Sequence, residues 1–163
     1  MDAKSLTRLY EYHIWANHQV WDCLQSITAE QFTEDAEYSH GSLQNQFFHL
    51  LGTDAYVITM LNLPNDDGQL NKEDYMEMAP MRAKWDEIEA QIKAGLANVA
   101  DESLQVMVPM PTGDGSHVDV PLWEAHASII NHGTNHRAQI LMQLHKLGGK
   151  TVEQGLYFFM LQQ

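Results

Sequence analysis

Cysteine, long apolar runs and a leader-like start are all scarce or missing in this sequence. Cys23 is the single cysteine among 163 residues, so no disulfide can form within the chain. We therefore expect a reducing compartment, the cytoplasm, and interpret Cys23 as a small buried apolar residue. No apolar run approaches the roughly 18 residues that a membrane span needs. Residues 1–4 lack the basic region and apolar run of a secretory signal, and we expect no membrane association.

Basic residues are also scarce. The chain has 9 lysines and arginines against 22 acidic residues, which gives a formal net charge of -13. Affinity for nucleic acids depends on neutralising phosphates with lysine and arginine, and no basic cluster interrupts the acidic pattern. This composition disfavours nucleic acid as a partner, and we expect a small-molecule substrate instead.

Apolar residues recur at intervals of three and four over most of the chain, as they do on core-facing helices. The predicted helices cover residues 5–26, 43–61, 80–99 and 122–147. Between the third and fourth helices the period changes to two, and a Thr-Gly-Asp-Gly turn separates residues 104–110 from 117–120, which predicts a small β-hairpin. We predict an all-α fold, a four-helix bundle with this hairpin between helices three and four, in a single domain spanning 1–163.

The fourth helix carries two histidines, His132 and His136, separated by four residues. This spacing places both imidazoles on the same side of the helix, one turn apart. His49 lies on the second helix beside an apolar stripe, and three imidazoles with one open position are a usual arrangement for catalytic zinc. Two alternatives remain open: ordinary hydrogen-bonded histidines without a metal, and a cluster that responds to pH.

Three further residues are candidates for catalytic roles, although the sequence identifies no general base. Asp54 follows His49 on the same helix, where a carboxylate can orient a ligating imidazole. His13 borders the apolar face of the first helix. Arg137 follows His136 and would either hold an anionic group of a substrate or form an ordinary ion pair within the protein.

Three segments together resemble the DinB/YfiT-like family of metal-dependent four-helix-bundle proteins. They are Trp15-Ala16-Asn17, the segment from Gly41-Ser42-Leu43 to Phe48-His49-Leu50-Leu51-Gly52, and the segment from Leu122-Trp123 to Asn131-His132-Gly133-Thr134-Asn135-His136-Arg137-Ala138-Gln139-Ile140. The resemblance covers nearly the whole chain and implies that His49, His132 and His136 are the metal-binding histidines. Many relatives have a histidine where this chain has Asn135, a position that faces away from the other two histidines.

The resemblance implies a metal-dependent enzyme that uses a divalent ion, zinc or nickel first, to acidify a low-molecular-weight thiol or a water. A thiol-dependent transferase and a hydrolase are both consistent with this chemistry. The alternative is a non-catalytic metal-binding protein with a stress or scaffold role. The apolar tail at 154–161, with Phe158 and Phe159, favours a homodimer.

Overall fold

The computed structural model describes residues 1–63 and 70–162. Its α-helices and strands are α1 (Ala3–Asp22), α2 (Ala29–Thr33), α3 (Leu43–Met60), α4 (Met78–Leu96), β1 (Met107–Pro111), β2 (His117–Pro121), α5 (Leu122–Lys146) and α6 (Leu156–Met160). The predicted all-α fold with one small hairpin is confirmed. The Pro- and Gly-containing segment Leu63-Pro64-Asn65-Asp66-Asp67-Gly68 predicts a break after the second helix, and all of it except Leu63 lies outside the described residues.

Four long helices form a closed ring. α5 packs against α1 and α3, and α4 packs against the same two helices from the other side. The core between them is apolar and contains the fully buried side chains of Trp85, Phe47, Leu50 and Ile140. This arrangement makes α3 and α5 direct neighbours, so side chains on their facing sides meet across a single helix contact.

Side-chain caps fix the starts of several helices. The Ser42 hydroxyl accepts a hydrogen bond from the Asn45 backbone N–H at 3.2 Å, which starts α3 at the predicted residue. Thr28 and Gln31 form a capping box at the start of the short helix α2. At the same end of the bundle, Gly148 adopts φ +78°, a left-handed conformation that glycine adopts without steric cost, and α5 ends there.

The hairpin is shorter at its start than the alternating pattern predicted. Residues Glu102–Gln105 form a 3-10 turn, and the first strand begins only at Met107. Leu104 is fully buried because this turn directs it into the core. β1 pairs antiparallel with β2, from Met107 opposite Pro121 to Pro111 opposite His117. Similarly, the last four residues predicted for the first helix, Cys23–Ser26, form a 3-10 turn.

Across residues 1–63 and 70–162, no helix has both the length and the apolar character that crossing a membrane requires.

Candidate metal centre

Three histidine rings meet at the contact between α3 and α5. The ring centroid of His49 on α3 lies 5.0 Å from that of His132 and 4.6 Å from that of His136. The two α5 rings lie 4.3 Å apart, as expected for residues one helical turn apart. The structure thus brings together the three histidines that the sequence singled out.

The orientation of two of these rings suits a shared ion. The Nε2 atoms of His49 and His132 approach within 2.8 Å of each other, so both rings direct the same nitrogen to one point. Zinc–imidazole bonds are about 2.0–2.1 Å long, which separates two nitrogens on one ion by about 3 Å. This spacing fits a common metal ion.

The third ring is held by a chain of amides. The Nδ1–H of His136 donates to Oε1 of the fully buried Gln46 at 3.0 Å. The Gln46 amide donates to Gln139 Oε1 at 3.3 Å, and the Ser39 hydroxyl donates to the same oxygen at 2.8 Å. Because Nδ1 carries the proton, the Nε2 atom of His136 presents its lone pair, as a metal ligand requires.

A fourth histidine, which sequence reasoning missed, joins this group. His40 lies in the loop before α3 and stacks on His49, with 4.0 Å between ring centroids and 23° between ring planes. Its ring is exposed and lies 5.2 Å from that of His136. Among the described residues, one ring nitrogen from each of His40, His49 and His136 lies within 4.8 Å of the other two, and His132 is not a member of that group. The only signal in the sequence was a histidine nine residues before His49.

Burial favours the neutral form of these rings. Burial, together with the nearby imidazoles, lowers the pKa of His49 and of His136 to about 4. Burial also lowers the pKa of His132, which the Asp54 carboxylate partly opposes. Metal binding requires unprotonated imidazole, so this environment prepares the rings for ligation.

The histidines open into a cleft of about 890 Å³. Its walls come from one face of α3, one face of α5 and the tip of the hairpin. The lining residues are His40, Phe48, His49, Gly52, Thr53, Tyr56, Met110, Pro111, Thr112, Gly113, Ser128, Ile129 and His132. A cleft of this volume has the usual size of a small-molecule site.

Comparison with known proteins places this arrangement in a family. The family model described as the DinB family matches residues 1–161. The chain belongs to the DinB family. It is 22% identical to Protein DinB of Bacillus subtilis (strain 168) over 160 residues, which cover 94% of this chain and 93% of that protein.

A solved structure shares the fold of this DinB-family chain. The crystal structure of a DinB-like protein from Bacillus cereus ATCC 10987 matches it with a TM-score of 0.67 at 12% identity. The match covers 89% of this chain and 94% of the other chain. At this identity the likeness concerns the fold alone.

The three catalytic candidates of this DinB-family chain lie behind the histidines, inside the bundle. The carboxylate of Asp54 is 1% exposed and accepts three hydrogen bonds. The donors are His13 Nε2 at 2.8 Å, Asn17 Nδ2 at 3.0 Å and Trp85 Nε1 at 2.7 Å. These partners lie on α1 and α4, so one carboxylate joins three helices.

The guanidinium of Arg137 adds the fourth helix to this network. Arg137 is fully buried and donates to Asn17 Oδ1 at 2.8 Å, to His13 Nδ1 at 3.2 Å and to Gln154 Oε1 at 2.9 Å. His13 therefore accepts at Nδ1 and donates at Nε2, and lies between the two buried charges. In the described chain Arg137 makes no direct ion pair with a carboxylate, and its burial keeps it away from the cleft.

A glycine allows this network to form next to a histidine of the cluster. A Cβ atom on Gly133 would lie 2.4 Å from His13 Cε1 and 2.9 Å from Arg137 Nη1. Only a residue without a side chain lets the His13 ring lie against α5 at this point. Asn135, by contrast, is exposed, as predicted from its position on the helix.

A second cluster with metal-ligand chemistry lies between α1 and α4. His18 Nε2 lies 2.6 Å from Glu89 Oε2. The Arg82 guanidinium lies 2.8 Å from Glu89 Oε1 and 2.8 Å from Asp86 Oδ1. Because the guanidinium already pairs with both carboxylates, this cluster suits an ion-pair network that joins two helices.

Proposed function

We propose that this DinB-family protein is a metal-dependent enzyme in which His49, His132 and His136 bind one divalent ion, zinc or nickel first. The reaction takes place on a small molecule in the adjoining cleft, as thiol-dependent transfer or as hydrolysis. The observation that carries the proposal is the convergence of three neutral imidazoles from two helices at the wall of a cleft of about 890 Å³.

The donor set supports an ion with strong positive character. A divalent ion held by neutral ligands keeps its full charge, which would stabilise a thiolate or lower the pKa of a bound water. In this chain Gln46 orients His136 by accepting a hydrogen bond from its Nδ1–H.

The buried positions of Asp54, His13 and Arg137 favour positioning roles for these residues. Each is at most 1% exposed, and their polar atoms bind one another and neighbouring side chains. We infer that the network fixes α5 against α1 and α3, so that His132 and His136 face His49. No proton transfer to a substrate is assigned to these three residues.

His40 supports a second candidate, a non-catalytic metal-binding protein with a stress or scaffold role. Structural zinc sites are closed by four protein ligands, whereas catalytic sites keep an open position. A fourth imidazole 4.0 Å from His49 is in place to close the coordination sphere. The two candidates therefore differ in whether His40 binds the ion.

Cobalt(II) reconstitution distinguishes the two candidates, because the absorption of cobalt reports its coordination. We expect one ion per chain, loss of that ion in His132→Ala, and retention in the exposed control Asn135→Ala. Metal content unchanged by His132→Ala would remove the proposed site. For an enzyme, an added thiol shifts the spectrum of the unmodified protein. A spectrum that responds to thiol only after His40→Ala would favour the scaffold.

We also propose that the protein acts in the cytoplasm as a homodimer. Support for the dimer comes from the apolar side chains exposed by α6 and the residue after it, with Tyr157 61% and Leu161 63% exposed. Phe159, by contrast, is buried against Tyr12 and Trp15 of the same chain. The exposed side chains would be covered by a second copy. Light scattering of the purified chain tests this, and a monomer at micromolar concentration would refute it.

A further inference from the structure

The cleft beside the histidines is lined without formal charge. Among the described residues that line it there is no aspartate, glutamate, lysine or arginine, although the chain contains 22 acidic and 9 basic residues. Its walls carry Phe48 and Tyr56 from α3, Ile129 from α5, and Met110 and Pro111 from the hairpin. The site thus combines histidine donors with largely apolar walls.

The hydroxyl groups of the lining are already engaged in part. The Thr53 hydroxyl donates to the backbone oxygen of His49 at 3.0 Å. The Thr112 hydroxyl lies 2.6 Å from both Asp114 Oδ1 and Ser116 Oγ within the hairpin turn. Arg137, the cation that follows His136 in sequence, is fully buried and donates to other protein groups. A carboxylate or phosphate in the cleft would find no cationic side chain among the described lining residues.

We propose that the cleft selects an uncharged, mainly apolar small molecule that offers a single donor atom, such as a thiol sulfur, to the metal site. Molecules that carry a carboxylate or phosphate away from that donor atom are excluded. This inference rests on the proposed metal-dependent function and names the substrate class for the same site.

Two physical effects act against anions there. A carboxylate loses part of its water on entering a largely apolar cleft, and this loss is costly when no cationic side chain replaces the water. The formal net charge of -13 adds long-range repulsion. A bound divalent ion supplies positive charge, but the thiolate that it binds offsets half of it.

Two thiols of matched shape test the inference: benzyl mercaptan and 4-(mercaptomethyl)benzoate, which adds only a carboxylate. With the cobalt(II)-loaded protein, the sulfur-to-cobalt absorption band reports binding. We expect the neutral thiol to bind at least about 10-fold more tightly than the carboxylate thiol. An affinity difference of this size is expected when a buried charge has no partner. Equal or tighter binding of the carboxylate thiol would overturn the inference.

A lysine placed in the cleft should reverse the preference. Ser128 is exposed, lines the cleft and lies one helical turn before His132. We expect Ser128→Lys to strengthen binding of the carboxylate thiol about 10-fold while leaving the neutral thiol nearly unchanged. Asn135→Lys is the matched control, because it adds the same charge to an exposed position of α5 outside the cleft. An equal gain in both variants would contradict selection by the cleft.

A metal-free arm separates this inference from the proposed function. Benzyl alcohol and 4-(hydroxymethyl)benzoate are titrated into the metal-free protein, and side-chain NMR signals of Phe48 and Ile129 are followed. If the protein binds no cobalt, the proposed metal-dependent function is wrong. The titration of the metal-free protein then tests on its own whether the cleft prefers uncharged molecules. Stronger shifts with the alcohol support the inference, and equal or stronger shifts with the benzoate overturn it.

Discussion

Replacing Gly133 by alanine should destabilise the protein far more than a helical glycine-to-alanine change normally does. The added Cβ would lie 2.4 Å from His13 Cε1, whereas carbon atoms in contact are about 3.5–4.0 Å apart. His13 must therefore move by about 1 Å. Both of its nitrogens are engaged, at 2.8 Å to Asp54 and 3.2 Å to Arg137, so the movement breaks at least one buried hydrogen bond.

The expected cost follows from three contributions. Overpacking costs about 1–3 kcal/mol, and a lost buried hydrogen bond costs about 1–3 kcal/mol. Alanine is favoured over glycine in a helix by about 1 kcal/mol, which offsets part of this. We expect Gly133→Ala to lower the free energy of unfolding by about 3 kcal/mol, measured by urea denaturation of the metal-free protein.

Gly52 provides the matched control, because a Cβ there meets no atom within 4 Å. Gly52→Ala, also in a helix, should stabilise the protein by up to about 1 kcal/mol. The cost of Gly133→Ala should largely disappear in a His13→Ala background, since the clashing ring is gone. The reasoning is refuted if Gly133→Ala is as stable as Gly52→Ala, or if removing His13 leaves the cost of the substitution unchanged.

Three further predictions concern buried polar groups. Asp54→Asn replaces an acceptor of three hydrogen bonds and removes the negative charge that balances Arg137. We expect the free energy of unfolding, measured by urea denaturation, to fall by about 3–5 kcal/mol. A fall below about 1 kcal/mol would contradict the importance of this network. Gln46→Leu removes the acceptor of the His136 Nδ1 proton, and we expect cobalt(II) affinity to fall about 10- to 100-fold by competition with a chelator while the circular dichroism spectrum is retained; unchanged affinity would contradict this orienting role. Burial lowers the pKa of His126 to about 4, below the value of 6.5 for an exposed ring, so the unfolded chain takes up a proton first as the pH falls. The contribution of His126 to the free energy of unfolding is therefore complete above pH 6.5 and is lost as the pH falls towards 4, by about 3 kcal/mol in total. In His126→Phe, the free energy of unfolding should depend less steeply on pH than in the unmodified protein.

The bundle could be predicted from the sequence because burial imposes a helical period on the chain. Leu104 shows the limit of this reasoning. Apolar and polar residues alternate around Leu104, as they do in a half-buried strand. A 3-10 turn with one buried residue gives the same pattern over so short a stretch. Local periodicity does not distinguish these two conformations.

The candidate site could be predicted only in part. The spacing of His132 and His136 fixes their common direction on one helix. His49 was a candidate from its place on a second amphipathic helix, and the family resemblance pointed to the same three residues. His40 could not be predicted, because a loop has no period and its backbone conformation decides where the side chain lies. The partners of Asp54 depend on how each helix is rotated in the bundle, which the sequence of a single chain does not reveal.

The hairpin contributes residues 110–113 to the cleft, and the other lining residues come from α3, α5 and His40 in the loop before α3. β1 and β2 pack chiefly against each other and against α5, while the core lies among the four long helices. Changes in the length or sequence of the hairpin would therefore cost the bundle little stability. Natural evolution or protein engineering can alter ligand preference by changing the hairpin, without changing the histidines or the helices that support them.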